Sequence, residues 1–549
     1  MTRRFSSPLE AFNHWVESIP NEVFLRQPVN RKFVEFTFAE SNDQILRMVS
    51  ALHNLGIQPG DHVALLSKNC AHWIMADLAI MAAGCISIPI YPTLGAESIH
   101  EILDHSESKA IIVGKLDDYA SQKAGIPDIL TIGIEMYGTM EHHTWERLIA
   151  QHEPSATVHE QTSDELMTIM YTSGTTGQPK GVMHTVGAFA QLINTAIDVI
   201  HLPERPRHFS YLPMTHIAER AGIELSSVFR GAIVSFPESL ETFAEDLSSV
   251  QPHIFFGVPR IWQKFQEKIL EKMPQKKLDR LLSLPLIGGL VKKKIKKKLG
   301  LSASMANFSG AAPIAVSLKQ WYARLDIIIN QAYGMTEDCI LSHFNLPGQN
   351  KFGTVGKPLP GVESKLSAEG EILIKSNCLM KGYYKEPEKT AEMFTEDGFL
   401  KTGDIGEFDH DGFLSITGRV KDQFKTDKGK YISPAPIELQ LLKNYDVDQV
   451  CVVGTGIPQP IALIVPSESG KKKSKEELSQ SVWQTIEELN PSLEAYEKIA
   501  KAVIMKEIWS VENGLMTPSL KVKRNRVEAL HMPMYPQWFD HEESVVYEA

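Results

Sequence analysis

The stretch Tyr171-Thr-Ser-Gly-Thr-Thr-Gly-Gln-Pro-Lys-Gly181 packs four aliphatic hydroxyls, three glycines and a lysine into eleven residues. The apolar run Leu166–Tyr171 leads into it and reads as a buried strand. The helical pattern Gly187–Ile200 follows it. Glycines such as Gly174 and Gly177 let backbone N–H groups approach a phosphate closely. The hydroxyls of Thr172, Ser173, Thr175 and Thr176 can donate to phosphate oxygens, and Lys180 adds a positive charge. Together they suit a polyphosphate. A Walker A loop is excluded, because Gly174 is followed by Thr-Thr-Gly-Gln-Pro-Lys rather than by the spacing that ends in Gly-Lys-Ser/Thr. Gly454-Thr-Gly456 lacks the third glycine of a dinucleotide fingerprint and reads as a strand-end turn. A flexible linker would not carry strand and helix signals on its two sides.

Outward from this loop, short apolar runs alternate with helical patterns. His62–Leu66, Ala110–Val113, Ile254–Val258 and Leu325–Asn330 read as further buried strands, and Ile99–Ser106 reads as an amphipathic helix. This alternation implies parallel sheets covered by helices, with ligands bound beyond the carboxyl ends of the strands. After about Asn350 short strands dominate, with turns at Asp397-Gly398 and Asp411-Gly412. A compact last unit has strands near Gln449–Val453, Ile461–Val465 and Ala502–Met505 and a helix near Lys475–Glu488. The domain boundary is placed at Gly418–Lys421, giving domains 1–418 and 419–549.

The chain has 549 residues, 43% apolar and 22% charged, which suits a multidomain globular protein and excludes a disordered or collagen-like one. Its net charge of −11 argues against nucleic-acid binding. Five scattered cysteines without CxxC spacing fit a reducing compartment and no structural zinc. Met1 to Glu10 shows no secretory signal. The longest apolar stretch, Leu78–Tyr91, is too short to span a bilayer and reads as a buried helix passing into a strand. A cytoplasmic protein is expected. Lys264 to Lys298 stands apart, with twelve basic residues against three acids. It reads as a solvated helix-rich segment or as a surface for peripheral contact with the inner membrane face. A homodimer is also compatible with the sequence.

Tyr171–Gly181 resembles the signature loop of the adenylate-forming superfamily, which includes acyl-CoA synthetases, peptide-synthetase adenylation domains and luciferases. Four more blocks follow in the family's order: Gln331-Ala-Tyr-Gly-Met-Thr-Glu337, Lys401-Thr-Gly-Asp404, Gly418-Arg-Val-Lys-Asp-Gln-Phe-Lys425 and Thr517-Pro-Ser-Leu-Lys521. The resemblance covers almost the whole chain. It implies an α/β fold: a large N-terminal domain of helix-covered sheets with a small barrel-like β subdomain, then a small mobile α+β C-terminal domain. It also implies the reaction. A carboxylate attacks the α-phosphate of ATP, giving an acyl-adenylate and pyrophosphate, and a thiol, usually that of coenzyme A, then displaces AMP.

The resemblance assigns roles block by block. Glu337 would hold Mg2+ together with a loop hydroxyl such as Thr176. Tyr333 and Gly334 would lie near the adenine and Thr336 near the α-phosphate. Gly310 and Ala311, in Ser309-Gly-Ala-Ala-Pro313, would line the adenine and acyl pockets. Asp404 would accept both ribose hydroxyls, with Arg419 beside it. Lys521 would bridge carboxylate and phosphate during adenylation, although Lys523 and Arg524 are near enough to leave the assignment open by two residues, and the usual glycine before the lysine is Leu520. Lys421 would be the pivot between two domain orientations, and Lys425, Lys428 and Lys430 would face coenzyme A in the second.

Ser210-Tyr-Leu-Pro-Met-Thr-His-Ile-Ala-Glu-Arg220 and Gly257-Val-Pro-Arg-Ile-Trp262 resemble blocks of long-chain acyl-CoA synthetases. They imply that His216 sits near the substrate carboxylate and that Trp262 gates a fatty-acid tunnel, against the plainer readings of a core histidine and core packing. A long-chain fatty acid–CoA ligase using ATP, Mg2+ and coenzyme A is the expected activity. A ligase for a medium-chain or aryl acid, transfer to a carrier-protein thiol, and a non-catalytic acyl- or nucleotide-binding relative stay open.

Overall fold

Helix Ala71–Ala82 is buried along its whole length, as a helix apolar on every side must be. Gly84 turns the chain at φ +72° into strand Ile86–Ile90, so Leu78–Tyr91 is the buried helix and strand that its composition implies. The computed structural model describes residues 3–173, 179–511, 513–517 and 521–548, Ser173 by its backbone alone.

Ile86–Ile90 lies inside an eight-stranded sheet. The order is Gly382–Tyr383, Pro179–Thr185, Leu166–Ser173, Ile86–Ile90, His62–Leu66, Ala110–Val113, Leu130–Gly133 and His143–Thr144. The strands from Leu166–Ser173 to His143–Thr144 run parallel. The other two are antiparallel. The glycine- and threonine-rich loop therefore joins the two arms of a hairpin. The helix that follows, Val186–Val199, agrees with the expected Gly187–Ile200, but a strand lies between it and the loop. That strand, Pro179–Thr185, pairs along its length with Leu166–Ser173 from Ser173↔Pro179 to Leu166↔Thr185. Gly181 allows this close pairing, since a Cβ there would come within 2.7 Å of Ile169.

A second sheet of five strands begins with Ile254–Phe256, Ala306–Ser309 and Ile329–Tyr333, all parallel, and ends in two short antiparallel strands. The last parallel strand lies four residues beyond the expected Leu325–Asn330. Leu325 and Ile327 are buried at 0% and 2% exposure, yet they pack from the turn after helix Val316–Ala323. Asp326, at φ +57°, reverses the chain between them. Burial without pleating looks like a strand in sequence. A third sheet joins Arg207–Phe209, Ile233–Ser235, Val23–Val29 and Lys32–Thr37.

The β subdomain is a four-stranded antiparallel meander, Glu363–Leu366, Glu371–Lys375, Leu400–Phe408 and Leu414–Arg419. The last unit has strands Val447–Val453, Ile461–Pro466, Lys501–Ile504 and Val545–Tyr547. Helix Lys475–Leu489 starts with a capping box between Ser474 and Glu477. A large N-terminal part and a small C-terminal α+β part thus follow each other, each with its own apolar core.

Candidate active site

Strand Ile329–Tyr333 ends at Tyr333, whose hydroxyl donates to Asp404 Oδ2 at 2.8 Å. Arg419 Nε donates to Asp404 Oδ1 at 2.8 Å. Asp404 and Arg419 face each other across paired strands, so the sheet register itself sets this contact. The carboxylate holds the Arg419 guanidinium in its charged form, above its ordinary range. Each Asp404 oxygen keeps a lone pair for a second donor, which is what a vicinal diol needs.

Beyond Tyr333 the chain turns tightly. A Cβ on Gly334 would meet the Ile340 backbone at 2.7 Å, so glycine is required there. Cys339 and Ile340 both take left-handed backbone, φ +54° and +52°. Asp338 is buried and accepts from the Met335 N–H at 2.9 Å. Burial pushes its carboxyl up to about 8. Buried His184, held neutral by desolvation near a pKa of about 4, donates from Nε2 to the Thr336 carbonyl at 2.6 Å. The turn that presents Thr336 and Glu337 is therefore clamped from inside.

Glu337 Oε1 accepts from the Tyr383 hydroxyl at 2.8 Å. The Lys180 ammonium sits 5.0 Å from the centre of the Tyr383 ring, a cation–π distance. Lys180 is cross-strand partner to Thr172. Tyr383, on the edge strand beside Val182, thus links the loop lysine to the Gln331–Glu337 block. It was not singled out in sequence, although it stands in the aromatic run Gly382-Tyr383-Tyr384. On the next strand, Ser309 is buried and a Cβ on Gly310 would meet Phe256 at 2.9 Å. Ala311 follows at φ +64°, a strained geometry of the kind found at ligand sites.

Lys521, from the C-terminal part, completes the group. Burial and then Arg419 lower its ammonium to about 8, while Asp404 and Glu337 act in the opposite sense. Across from it, His216 caps a short helix by accepting the Ala218 N–H at 3.2 Å. Burial, with Lys521 adding to it, brings His216 down to about 4. Asp404, Arg419, Glu337 and His216 therefore each lie within electrostatic reach of Lys521. Arg524 points elsewhere, paired with Glu438 and donating to the Val452 carbonyl at 2.6 Å.

The His216 segment is anchored by a buried polar network that the sequence does not reveal. Glu219 accepts from Ser210 Oγ at 2.7 Å and Tyr211 N at 2.9 Å, and burial raises it to about 8. Arg220 donates to both oxygens of Asp77, at 2.8 and 2.7 Å, and to Thr168 Oγ1 at 2.6 Å. Both Arg220 and Asp77 are fully buried. Glu224, 3.9 Å from the Arg220 guanidinium, is pushed well above the carboxylate range. Residues Arg220–Leu225 form a π-helical turn, a local irregularity common at functional sites.

Other candidates stand apart. Trp262 is fully buried, donates to the Phe308 carbonyl at 3.3 Å and packs edge-on against Phe255, Phe265 and Tyr322. Lys421, Lys425, Lys428 and Lys430 are exposed. Lys425 and Lys430 lie over Tyr431 and Tyr496, on the C-terminal part. Gly174, Thr175, Thr176, Gly177 and the Ser173 side chain lie outside the described residues.

The AMP-binding enzyme family matches residues 12–384, and its C-terminal domain matches residues 421–533. A long-chain-fatty-acid–CoA ligase of Mycobacterium tuberculosis is 28% identical over 92% of this chain and 93% of its own. Long chain acyl-CoA synthetase 2 of Arabidopsis thaliana is 26% identical over 94% and 90%. Among solved structures, the adenylation domain of a carboxylate reductase from Mycobacterium chelonae superposes with a TM-score of 0.81 at 21% identity, covering 97% of this chain and 91% of that one. The o-succinylbenzoate CoA synthetase of Bacillus subtilis, bound to its acyl-adenylate, gives 0.75 at 23% identity, covering 94% and 97%. Five ordered sequence blocks, the convergence of four of them on one site and a match over two thirds of the chain lead to one conclusion: this protein belongs to the AMP-binding enzymes, the adenylate-forming superfamily.

Proposed function

We propose that this adenylate-forming ligase activates a long-chain fatty acid with ATP and transfers it to coenzyme A. The observation that supports the reading is the electrostatic reach of Lys521, in the C-terminal part, to Asp404, Arg419, Glu337 and His216. That is the set needed to hold two anions together while charge grows on phosphorus. Asp404 and Arg419 hold the ribose, and Tyr333 orients the Asp404 carboxylate. Lys180 and the loop hydroxyls take the terminal phosphates. Lys521 lies between the acyl carboxylate and the α-phosphate, and His216, kept neutral, borders the carboxylate without adding charge.

Glu337 suits Mg2+ in a particular way. No group of three His, Cys, Asp or Glu is arranged for a metal among the described residues. A cation here would be held by Glu337, phosphate oxygens and water, an arrangement Mg2+ favours. When bound, it offsets charge on the phosphates.

Residues 419–421 are the proposed hinge between units 1–418 and 419–549. Turning about Lys421 would withdraw Lys521 and bring Lys425 and Lys430 toward the phosphates of coenzyme A. The fatty-acid assignment rests on the Ser210–Arg220 and Gly257–Trp262 blocks and on the long-chain relatives.

Pyrophosphate release across acids of graded length tests this assignment. Each buried methylene contributes about 0.8 kcal/mol. The rate is therefore expected to climb with length to fatty-acid size. A preference for acetate or benzoate over a long-chain acid would overturn it. A second expectation concerns pH. Lys521 acts as a cation and its ammonium is lowered to about 8, so kcat/KM for adenylation should fall above that pH, by roughly tenfold per unit. In Lys521→Arg, whose guanidinium stays charged, this alkaline limb should disappear. A limb that survives in the arginine variant would assign it to another group.

A further inference from the structure

The helical hairpin Gln275–Leu282 and Ile287–Lys298 leaves the apolar residues of its tip in solvent. Leu286 is 90% exposed and Leu290 68%, with Leu284 and Ile287 also exposed. The tip is strained. Leu286 has φ +65° and ψ −46°, and Ile287 N donates to the Pro285 carbonyl at 2.7 Å. This is a γ-turn of the rare hand, held by a leucine that packs against nothing. Below the tip, one helix face presents Ile287 and Leu290 in its first turn and then Lys293, Lys294, Lys297 and Lys298. None of these four lysines makes a salt bridge among the described residues, whereas Lys292, on the inner side, pairs with Asp326 at 2.9 Å.

We infer that this hairpin docks the protein on an anionic lipid bilayer, with the leucine tip in the acyl boundary and the lysine face at the phosphates. The spacing fits. Leu290 and Lys298 are eight residues apart, about 12 Å along a helix, and an interfacial element buries its apolar part about 5–10 Å deep with lysines above. Charge selects the occupant. Lys264–Lys298 carries +9 on a chain of −11, so the remainder carries −20. A second copy docking through the same face would set +9 against +9. A zwitterionic surface would leave the lysines unused. An anionic membrane attracts this face and repels the rest of the molecule, which fixes the orientation of docking.

The hairpin is tied to the acyl side of the enzyme. Ile295 and Leu278 share an apolar cluster with Trp262, Phe255 and Tyr322. On the fatty-acid reading, docking would place the Trp262 end of the enzyme beside the leaflet that stores its substrate. The docking itself does not depend on that reading.

Co-sedimentation of the full chain tests the inference, with turnover serving only as a control for folding. The probes are vesicles of phosphatidylcholine alone and of phosphatidylcholine with phosphatidylglycerol. The parent protein should bind only the anionic vesicles, and binding should weaken as salt rises from about 0.05 to about 0.5 M. The variant with Lys293, Lys294, Lys297 and Lys298 changed to Gln should bind roughly 100-fold or more weakly. Leu286→Glu with Leu290→Glu should abolish binding at unchanged net helix content. Both variants should keep the parent's turnover on a short water-soluble acid. Indifference of the parent to phosphatidylglycerol, or variants that bind like the parent, would overturn the inference. So would a dimer that dissociates in the leucine variant while vesicle binding stays absent, which would give the face to a second copy.

Discussion

Changing Lys521 to alanine is expected to slow adenylate formation about 100- to 1,000-fold, roughly 3–4 kcal/mol, the usual loss when one preorganised donor is removed from a developing charge. The effect should be confined to one half of the reaction. The lysine sits with Asp404, Arg419 and Glu337 in the orientation described. On the proposed hinge motion, Lys521 would leave the site once the C-terminal part has turned. Supplied with preformed acyl-adenylate and coenzyme A, Lys521→Ala should work nearly as well as the parent. Equal slowing of both halves would make Lys521 structural. Arg524 does not compete well for the role, because it is committed to Glu438 and the Val452 carbonyl.

The second large effect concerns folding. Asp77→Ala strips the buried Arg220 guanidinium of its two-oxygen partner. Removing one member of a buried ion pair costs about 3–5 kcal/mol, because the other charge stays desolvated. Glu224 stands 3.9 Å from the guanidinium and is held neutral. In the variant it can ionise and recover part of the loss, which puts the expected value near the lower end, about 3 kcal/mol. The unfolding midpoint in urea, at unchanged slope, reads this directly. Arg220→Met should cost less than Asp77→Ala, since it removes the charge and leaves a carboxyl that can protonate. A loss under about 1 kcal/mol in Asp77→Ala would mean that the network does not hold the His216 segment in place.

Much of the architecture was legible because buried parallel strands are short apolar runs. His62–Leu66 and Ala110–Val113 have the bounds their composition suggests. The exceptions have physical causes. Leu325 and Ile327 are as apolar as a strand, but they are buried from a turn that Asp326 reverses. Pro179–Thr185 mixes lysine, glycine and histidine and carries no strand signal alone. It becomes a strand by pairing with Leu166–Ser173. The site divides in the same way. Tyr333, Glu337, Asp404, Arg419 and Lys521 could be placed because each stands in a block of fixed spacing. Tyr383 reaches Glu337 only through the position of its edge strand. Asp77 reaches Arg220 across 143 residues. Both depend on tertiary pairing that no local pattern encodes.

The proposed function requires above all an acyl-adenylate made without the thiol. The direct measurement is a quenched reaction of hexadecanoate and ATP with Mg2+, first without coenzyme A and then with it added. Hexadecanoyl-adenylate and pyrophosphate are expected in equal amounts in the first stage, and AMP with hexadecanoyl-CoA in the second. ADP and phosphate in place of AMP and pyrophosphate, or no adenylate until coenzyme A is present, would contradict it.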